Sequence, residues 1–296
     1  MTKHVLDVAQ ESAYLRVDRC CLVIERNGET VAKFPLGEVA ALVVSHPQVT
    51  YTQAVLSGLV EYGGALVVCD RRHLPVGMLL PIEANYVQAE RFALQANTTK
   101  PRCKRLWQQL VTAKVAAQGR LLARLHGDDH GLVALARTVQ SGDATNVEAQ
   151  ASRRYWPSLF GDITFRRDTN RDDQNRLLNY GYAVLRAVVA RAICAAGLHP
   201  SLGIHHHNRY NAFCMADDMM EPFRPMVDVR VCQIVTAQGP KAPLDPATKQ
   251  TLLSICTARL TLEGESRTLF NTLARTASSL VAALQDGSQK LALPEI

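Results

Sequence analysis

YLRVDRCCLVIER (residues 14–26), the pair Asn27-Gly28, and TVAKF (residues 30–34) decide the reading of the first part of the chain. Both runs are rich in strand formers. Asn-Gly between them fits a type I′ turn, whose two central residues need positive φ, so the stretch is a β-hairpin. Beyond it, Val39–Val44 reads as a continuous apolar strand. Residues 50–62 form an amphipathic pattern stopped by Gly63-Gly64, as a helix would be. Ala65–Cys69 is a second buried strand and residues 76–80 a further one.

The pattern changes after Pro81. From Asn85 onward helical periodicity dominates and strand signals nearly vanish. Helices are expected over 106–125, 146–159, 175–196, 218–237 and 266–285, with 287–296 as a frayed tail. The fold class is therefore α+β. An N-terminal β-rich domain of small sheets with one short helix (1–84) is followed by a larger all-α domain (85–296), with the linker at about 81–95.

A chain of 296 residues, 47% hydrophobic and 20% charged, is globular and can bury a real core. Its apolar runs fall short of the roughly 20 residues that span a bilayer. Asp7, Glu11 and Arg16 interrupt any signal-peptide pattern, so a soluble, cytoplasmic protein with no membrane partner is expected. The eight cysteines form no CxxC pair, which argues against a zinc ribbon and for reduced, buried thiols.

Net charge is +6, a modest excess, but its distribution is uneven. From Arg91 to Gly127 stand Arg91, Lys100, Arg102, Lys104, Arg105, Lys114, Arg120 and Arg124, with no acidic residue. A one-sign stripe of this kind suits a phosphate backbone, because neutralised phosphates release counterions. It is equally the composition of a solvated helix face.

Three segments could carry chemistry. In Asn146-Val-Glu148-Ala-Gln-Ala-Ser152-Arg153-Arg154-Tyr155-Trp156, helical spacing puts Glu148, Ser152 and Tyr155 on one face. The bland alternative is a surface glutamate paired with Arg153 or Ser152. In Pro200-Ser-Leu-Gly203-Ile-His205-His206-His207, three consecutive histidines offer metal ligands or proton carriers, or simply a polar turn. Neighbouring side chains diverge, so one of the three would point into a site. In Asp218-Met-Met-Glu221-Pro222-Phe-Arg-Pro225 the two acids are neighbours on a helix, and the same spacing is that of a capping box. The two uses can coexist. Carboxylates with an imidazole suit Mg²⁺ or Mn²⁺, which can polarise a phosphodiester.

The strings Asn146-x-Glu148 with Tyr155-Trp156, Pro200-x-x-Gly203-x-x-His206 and Asp218-x-x-Glu221-Pro-Phe-Arg-Pro225 occur in this order. Together with Asn175–Ala183 they resemble the Cas-one family, the integrase of CRISPR spacer acquisition, and most closely its type II branch. The resemblance implies a β domain joined to a helical domain. It implies metal binding by Glu148, His206 and Glu221, with Asp218 as a further acidic position of the catalytic set. Counting three from Gly203 selects His206, while His205 and His207 flank it. The role of His206, ligand or general base, stays open.

The implied reaction is transesterification: the 3′-hydroxyl of a captured DNA fragment attacks a phosphodiester at the edge of a CRISPR repeat. With water as attacker the site is a nuclease. Tyr155 is then a packing or DNA-contact residue. The implied partners are double-stranded DNA, a second copy of the chain (a homodimer), and a dimer of the small Cas-two adaptor, giving a heterohexamer. The RNA-guided effector nuclease is a further expected partner. From charge alone, Lys100, Arg102, Lys104, Arg105, Arg166, Arg167 and Arg171 are expected on the DNA surface. A plain metal-dependent nuclease and a non-catalytic DNA-binding scaffold are the alternatives.

Overall fold

The computed structural model describes residues 3–70, 75–81 and 85–296. Strand β1 (His4–Val8) precedes the expected hairpin region, which contains one more turn than the sequence pattern suggests. The run over 14–26 is two strands, β2 (Ala13–Asp18) and β3 (Cys21–Arg26), paired antiparallel about Arg19-Cys20. Both turn residues have positive φ, 47° and 59°, a type I′ geometry that neither residue type advertises. The second turn is at Asn27-Gly28, with φ 51° and 82°, and leads into β4 (Glu29–Pro35).

Strands β5 (Val39–Val44) and β6 (Val49–Tyr51) follow, then α1 (Gln53–Glu61), β7 (Ala65–Cys69) and β8 (Pro75–Leu79). One sheet has the order β4-β3-β2-β6 and the other β1-β5-β7-β8. In the second, β1, β5 and β7 are parallel and β8 is antiparallel to β7. Strand β5 is apolar throughout because both its faces are covered. Leu42 and Val44 face the first sheet and α1, with Leu15, Leu22, Val55 and Leu59. Ala41 joins the large helical core on the opposite face, and Val43 meets Ala187 there.

The helical part begins at α2 (Gln88–Ala96). The expected boundary between residues 84 and 85 falls beside 82–84, which lie outside the described residues. It continues with α3 (Lys100–His126), a short α4 (Leu132–Ala136), α5 (Val147–Phe160) and α6 (Gln174–Ala195). Helix α6 is long and apolar enough to cross a bilayer by length and composition, against the expectation from apolar runs. Yet 78% of that window is buried inside the protein, so it is the core helix.

The expected helix over 218–237 is instead two, α7 (Cys214–Met220) and α8 (Arg224–Gln238), separated by a 3₁₀ turn over Glu221–Phe223. Pro222 and Pro225 lack N–H groups and cannot donate to the carbonyls of Asp218 and Glu221, which accept instead from the Glu221 and Arg224 amides, so the helix tightens there. Val227 of α8 lies so close to α6 that a Cβ on Gly181 would sit 2.4 Å from its methyl.

After α9 (Pro246–Leu253) comes a hairpin of β9 (Arg259–Leu262) and β10 (Glu265–Thr268), where strand signals nearly vanish in the sequence. Glu263 and Gly264, with φ 53° and 77°, make its type I′ turn. Helix α10 accordingly starts at Leu269, three residues later than expected. The tail over 287–296 is not frayed. Leu291 and Ala292 are buried, Thr276 Oγ1 donates to the Ala292 carbonyl, and Glu295 bridges to Thr261.

Candidate active site

Helix α3 is the floor on which the site is built. Lys100, Lys104, Trp107, Val111 and Lys114 recur at helical spacing and share one face. Trp107, almost wholly buried, carries the histidine loop. The His205 ring stacks on its indole with centroids 4.2 Å apart, and the His206 ring meets it edge-on at 5.6 Å. Further along, the Lys114 ammonium stands 2.6 Å from Glu148 Oε1 and 2.6 Å from Glu221 Oε2.

Glu148 lies in the first turn of α5, whose start is fixed by Asp143. That carboxylate accepts from the Val147 and Glu148 amides at 2.8 and 3.0 Å. Glu148 therefore pairs with a lysine from another helix, not with Arg153 or Ser152. Glu221 comes from the 3₁₀ turn and its side chain is only 4% exposed. Its Oε1 meets Arg224 Nε at 2.9 Å. Its Oε2 is buried and, among the described residues, has no aligned hydrogen-bond donor; the Lys114 ammonium meets it as a charge. Burial pushes this carboxyl up, but the Arg224 guanidinium and the Lys114 ammonium outweigh burial and hold it at about 2.

Asp218 does not cap a helix; it lies in the last turn of α7 and is fully buried. Its Oδ2 accepts from the amides of Ile204 and His205 at 2.6 and 2.8 Å. Its Oδ1 accepts from the His206 amide at 3.3 Å and from His206 Nδ1 at 2.5 Å. One carboxylate thus shapes the whole loop. Its hydrogen bond to the imidazole, ahead of burial, raises the His206 pKa above the ordinary value. With Nδ1 donating to Asp218, the other ring nitrogen, Nε2, keeps its lone pair for a ligand. Gly203 is required by the same packing, since a Cβ there would lie 2.4 Å from the His206 carbonyl oxygen.

Behind Glu221 lies a second polar layer. Arg224 rests over the Tyr182 ring at 4.5 Å. The hydroxyls of Tyr182 and Tyr155 both donate to Asp228, the latter at 2.7 Å. Asp228 is fully buried, and burial pushes its carboxyl up to about 6 despite the two donors. Tyr155, 0% exposed, is a packing residue.

The structure thus gathers Glu148 and Glu221 around Lys114, and His206 around Asp218. Glu221 is near enough for its charge to raise the His206 pKa. Among the described residues no three His, Cys, Asp or Glu side chains already stand in metal-holding geometry. Lys114 and Asp218 hold the members instead. The donor set nevertheless fits a divalent cation: two carboxylate oxygens meet at one cationic point, one of them lacks an aligned donor among the described residues, and the His206 imidazole is held by Asp218 through Nδ1, which leaves Nε2 as its other donor atom.

Residues 6–254 match the family described as CRISPR associated protein Cas1. The chain belongs to the Cas1 family. It is 36% identical over 291 residues to a protein of Neisseria meningitidis serogroup C (strain 8013) named CRISPR-associated endonuclease Cas1, covering 97% of this chain and 94% of that one. Its fold is shared with a solved casposase bound to integration product, at TM-score 0.75 and 18% identity, covering 99% of this chain and 93% of that one. It is shared also with a chain of a partial Cas6-RT-Cas1–Cas2 complex, at TM-score 0.64 and 19% identity over the whole of both chains.

Within this Cas1 chain the basic residues divide. Lys100 and Lys104 are exposed and line, with Trp107, His205 and His207, a groove of about 550 Å³ beside the histidine loop. Arg105, Arg166 and Arg171 are exposed. Arg102 and Arg167 are turned inward. Arg102 donates to the Leu284 carbonyl at the end of α10, and Arg167 to the side chains of Asn175 and Asn179 at 3.0 and 2.7 Å. In the sequence Lys114 counted as one more charge of the stripe and Arg224 as part of the third motif, with no role for either, and neither Asp143 nor Trp107 was singled out. The seven-residue steps from Lys100 to Trp107 to Lys114, beside two acidic motifs, were the available signal.

Proposed function

We propose that this chain is a metal-dependent DNA integrase and endonuclease of CRISPR adaptation, acting in the cytoplasm. The observation that carries it is the meeting of Glu148 and Glu221, from separate elements, within 2.6 Å of one cationic point. Mg²⁺ or Mn²⁺ would be held by Glu148, Glu221 and His206, and would neutralise charge developing on a scissile phosphate. Asp218 orients His206 and fixes its tautomer. Arg224 keeps Glu221 an anion. The groove with Lys100 and Lys104 would hold the phosphate backbone.

The reaction needs no protein nucleophile. A 3′-hydroxyl attacks phosphorus, a P–O bond forms, and the repeat's own 3′-oxygen leaves and takes up a proton. The count of phosphodiesters is unchanged. With water in place of the hydroxyl, the strand is cut. The name of the Neisseria relative supports nuclease chemistry. The casposase bound to its integration product supports joining, and the Cas1–Cas2 assembly supports the Cas-two adaptor as partner. A homodimer bridged by the adaptor into a heterohexamer, and the RNA-guided effector, complete the proposed partners.

The test is a supercoiled plasmid carrying a repeat array, incubated with short duplex DNA, the adaptor and Mg²⁺ or Mn²⁺. Joined product is expected from the wild type and none from Glu148→Ala. Joining that survives Glu148→Ala refutes the assignment. Cleavage without joining, in an assembled adaptor complex, makes the protein a plain nuclease.

A further inference from the structure

The position between Glu148 and Glu221 is held by the chain's own ammonium. Lys114 reaches it from α3, and its side chain keeps only 13% of its exposure. With Arg224 on the other oxygen of Glu221, two carboxylates already face two cationic groups. Among Glu148, Glu221, Lys114 and Arg224 the charges are balanced without any metal. A divalent cation entering this point must push the ammonium aside and leaves the cluster with two excess positive charges. In a largely buried site that repulsion is several-fold stronger than in water.

A DNA phosphate supplies the missing negative charge, and Lys114 alone can turn to it. Its long flexible stem can swing the ammonium without moving the helix, whereas Arg224 is held between Glu221 and the Tyr182 ring. We propose that Lys114 is an internal competitor of the divalent cation, which makes metal loading of the site depend on bound DNA. This rests on the reading of Glu148 and Glu221 as metal ligands. Its consequence is a site that stays unloaded, and unable to cut, until DNA is in place.

The experiment measures Mn²⁺ binding to the full-length protein by the loss of free-ion electron paramagnetic resonance signal. It is run with and without saturating duplex DNA whose 3′ ends are blocked by dideoxynucleotides, and no turnover is read. In the wild type, DNA is expected to tighten binding at the site by about tenfold or more, the scale of one unit charge at a few ångströms. In Lys114→Met, binding without DNA is expected to tighten by a similar factor, and DNA should then add little. Lys114→Arg keeps the charge and should keep the wild-type weakness without DNA.

If Lys114→Met unfolds when metal-free, the Mn²⁺-induced rise in Tm replaces the titration, and it should exceed that of the wild type. Glu148→Gln separates the two ideas. Unchanged Mn²⁺ binding in Glu148→Gln, with and without DNA, refutes the metal-ligand reading. Loss of binding in Glu148→Gln without any tightening in Lys114→Met refutes the competitor alone. So does a wild type that binds Mn²⁺ equally well with and without DNA.

Discussion

Asp218→Asn is the perturbation whose cost follows most directly from the geometry. The Asp218 carboxylate accepts four hydrogen bonds, two on each oxygen, from the Ile204, His205 and His206 amides and from His206 Nδ1. An asparagine has one oxygen; its NH₂ cannot accept, so two of the four donors lose their acceptor. Hydrogen bonds to a charged group are worth about 1.5–3 kcal/mol each. The loop is open to water on one side, as His206 is 43% exposed, so the low end applies. The expected loss is about 3 kcal/mol, or roughly a hundredfold in the equilibrium for opening the loop.

The assay is native-state hydrogen exchange. The amides of Ile204, His205 and His206 should exchange about a hundredfold faster in the variant, while those of mid-α3 keep their protection. The His206 midpoint, followed by NMR of labelled histidine, should fall, since its principal elevating partner is gone. Strand joining should drop by about two orders of magnitude through misplacement of the imidazole. Wild-type exchange at residues 204–206 together with an unmoved His206 midpoint would refute the role given to Asp218.

Gly203→Ala places a methyl 2.4 Å from the His206 carbonyl oxygen, so joining should fall sharply while overall melting changes by only a few degrees. Equal activity would mean the loop is not held as described. Asp228, facing Tyr155, Tyr182, Arg224 and Lys114, has its carboxyl raised to about 6. The folded state thus binds a proton the unfolded state does not. Stability from this group grows as pH falls from about 6 to about 4, by roughly 3 kcal/mol. Asp228→Asn should lack that rise in urea titrations, and identical pH slopes would disprove it. Removing residues 291–296 uncovers the partners of Leu291 and Ala292, costing about 2 kcal/mol and several degrees of Tm. A frayed tail would cost nothing.

Where local chemistry was decisive, the sequence was legible. Asn27-Gly28 demanded its turn, and the apolar run of Val39–Val44 demanded cover on both faces. Where turns were made by ordinary residues, it was not. Arg19-Cys20 takes up positive φ because the flanking strands pair, and nothing in arginine or cysteine announces that. Glu263-Gly264 did carry a turn signal, but its strands are four residues each and lie among helices. The tail looked frayed because its anchors, Thr276 and Ser279, are on α10 and meet it only after folding.

The residue types of the candidate site were written in the three motifs, and their order placed the chain in its family. By itself, then, the sequence determined which ligand-type side chains exist and, for Glu148 and His206, on which local elements they sit, since propensity and spacing act over a few residues. What only the tertiary structure decided is who meets whom. Glu148 faces Lys114 and not Arg153, and Asp218 binds the histidine loop and not a helix start. Arg102 and Arg167 serve the interior and not the surface. These pairings join residues from 8 to 182 positions apart, beyond the reach of a single helical turn, where burial and charge compensation, set by the packed fold, choose among partners that are equally plausible in one dimension.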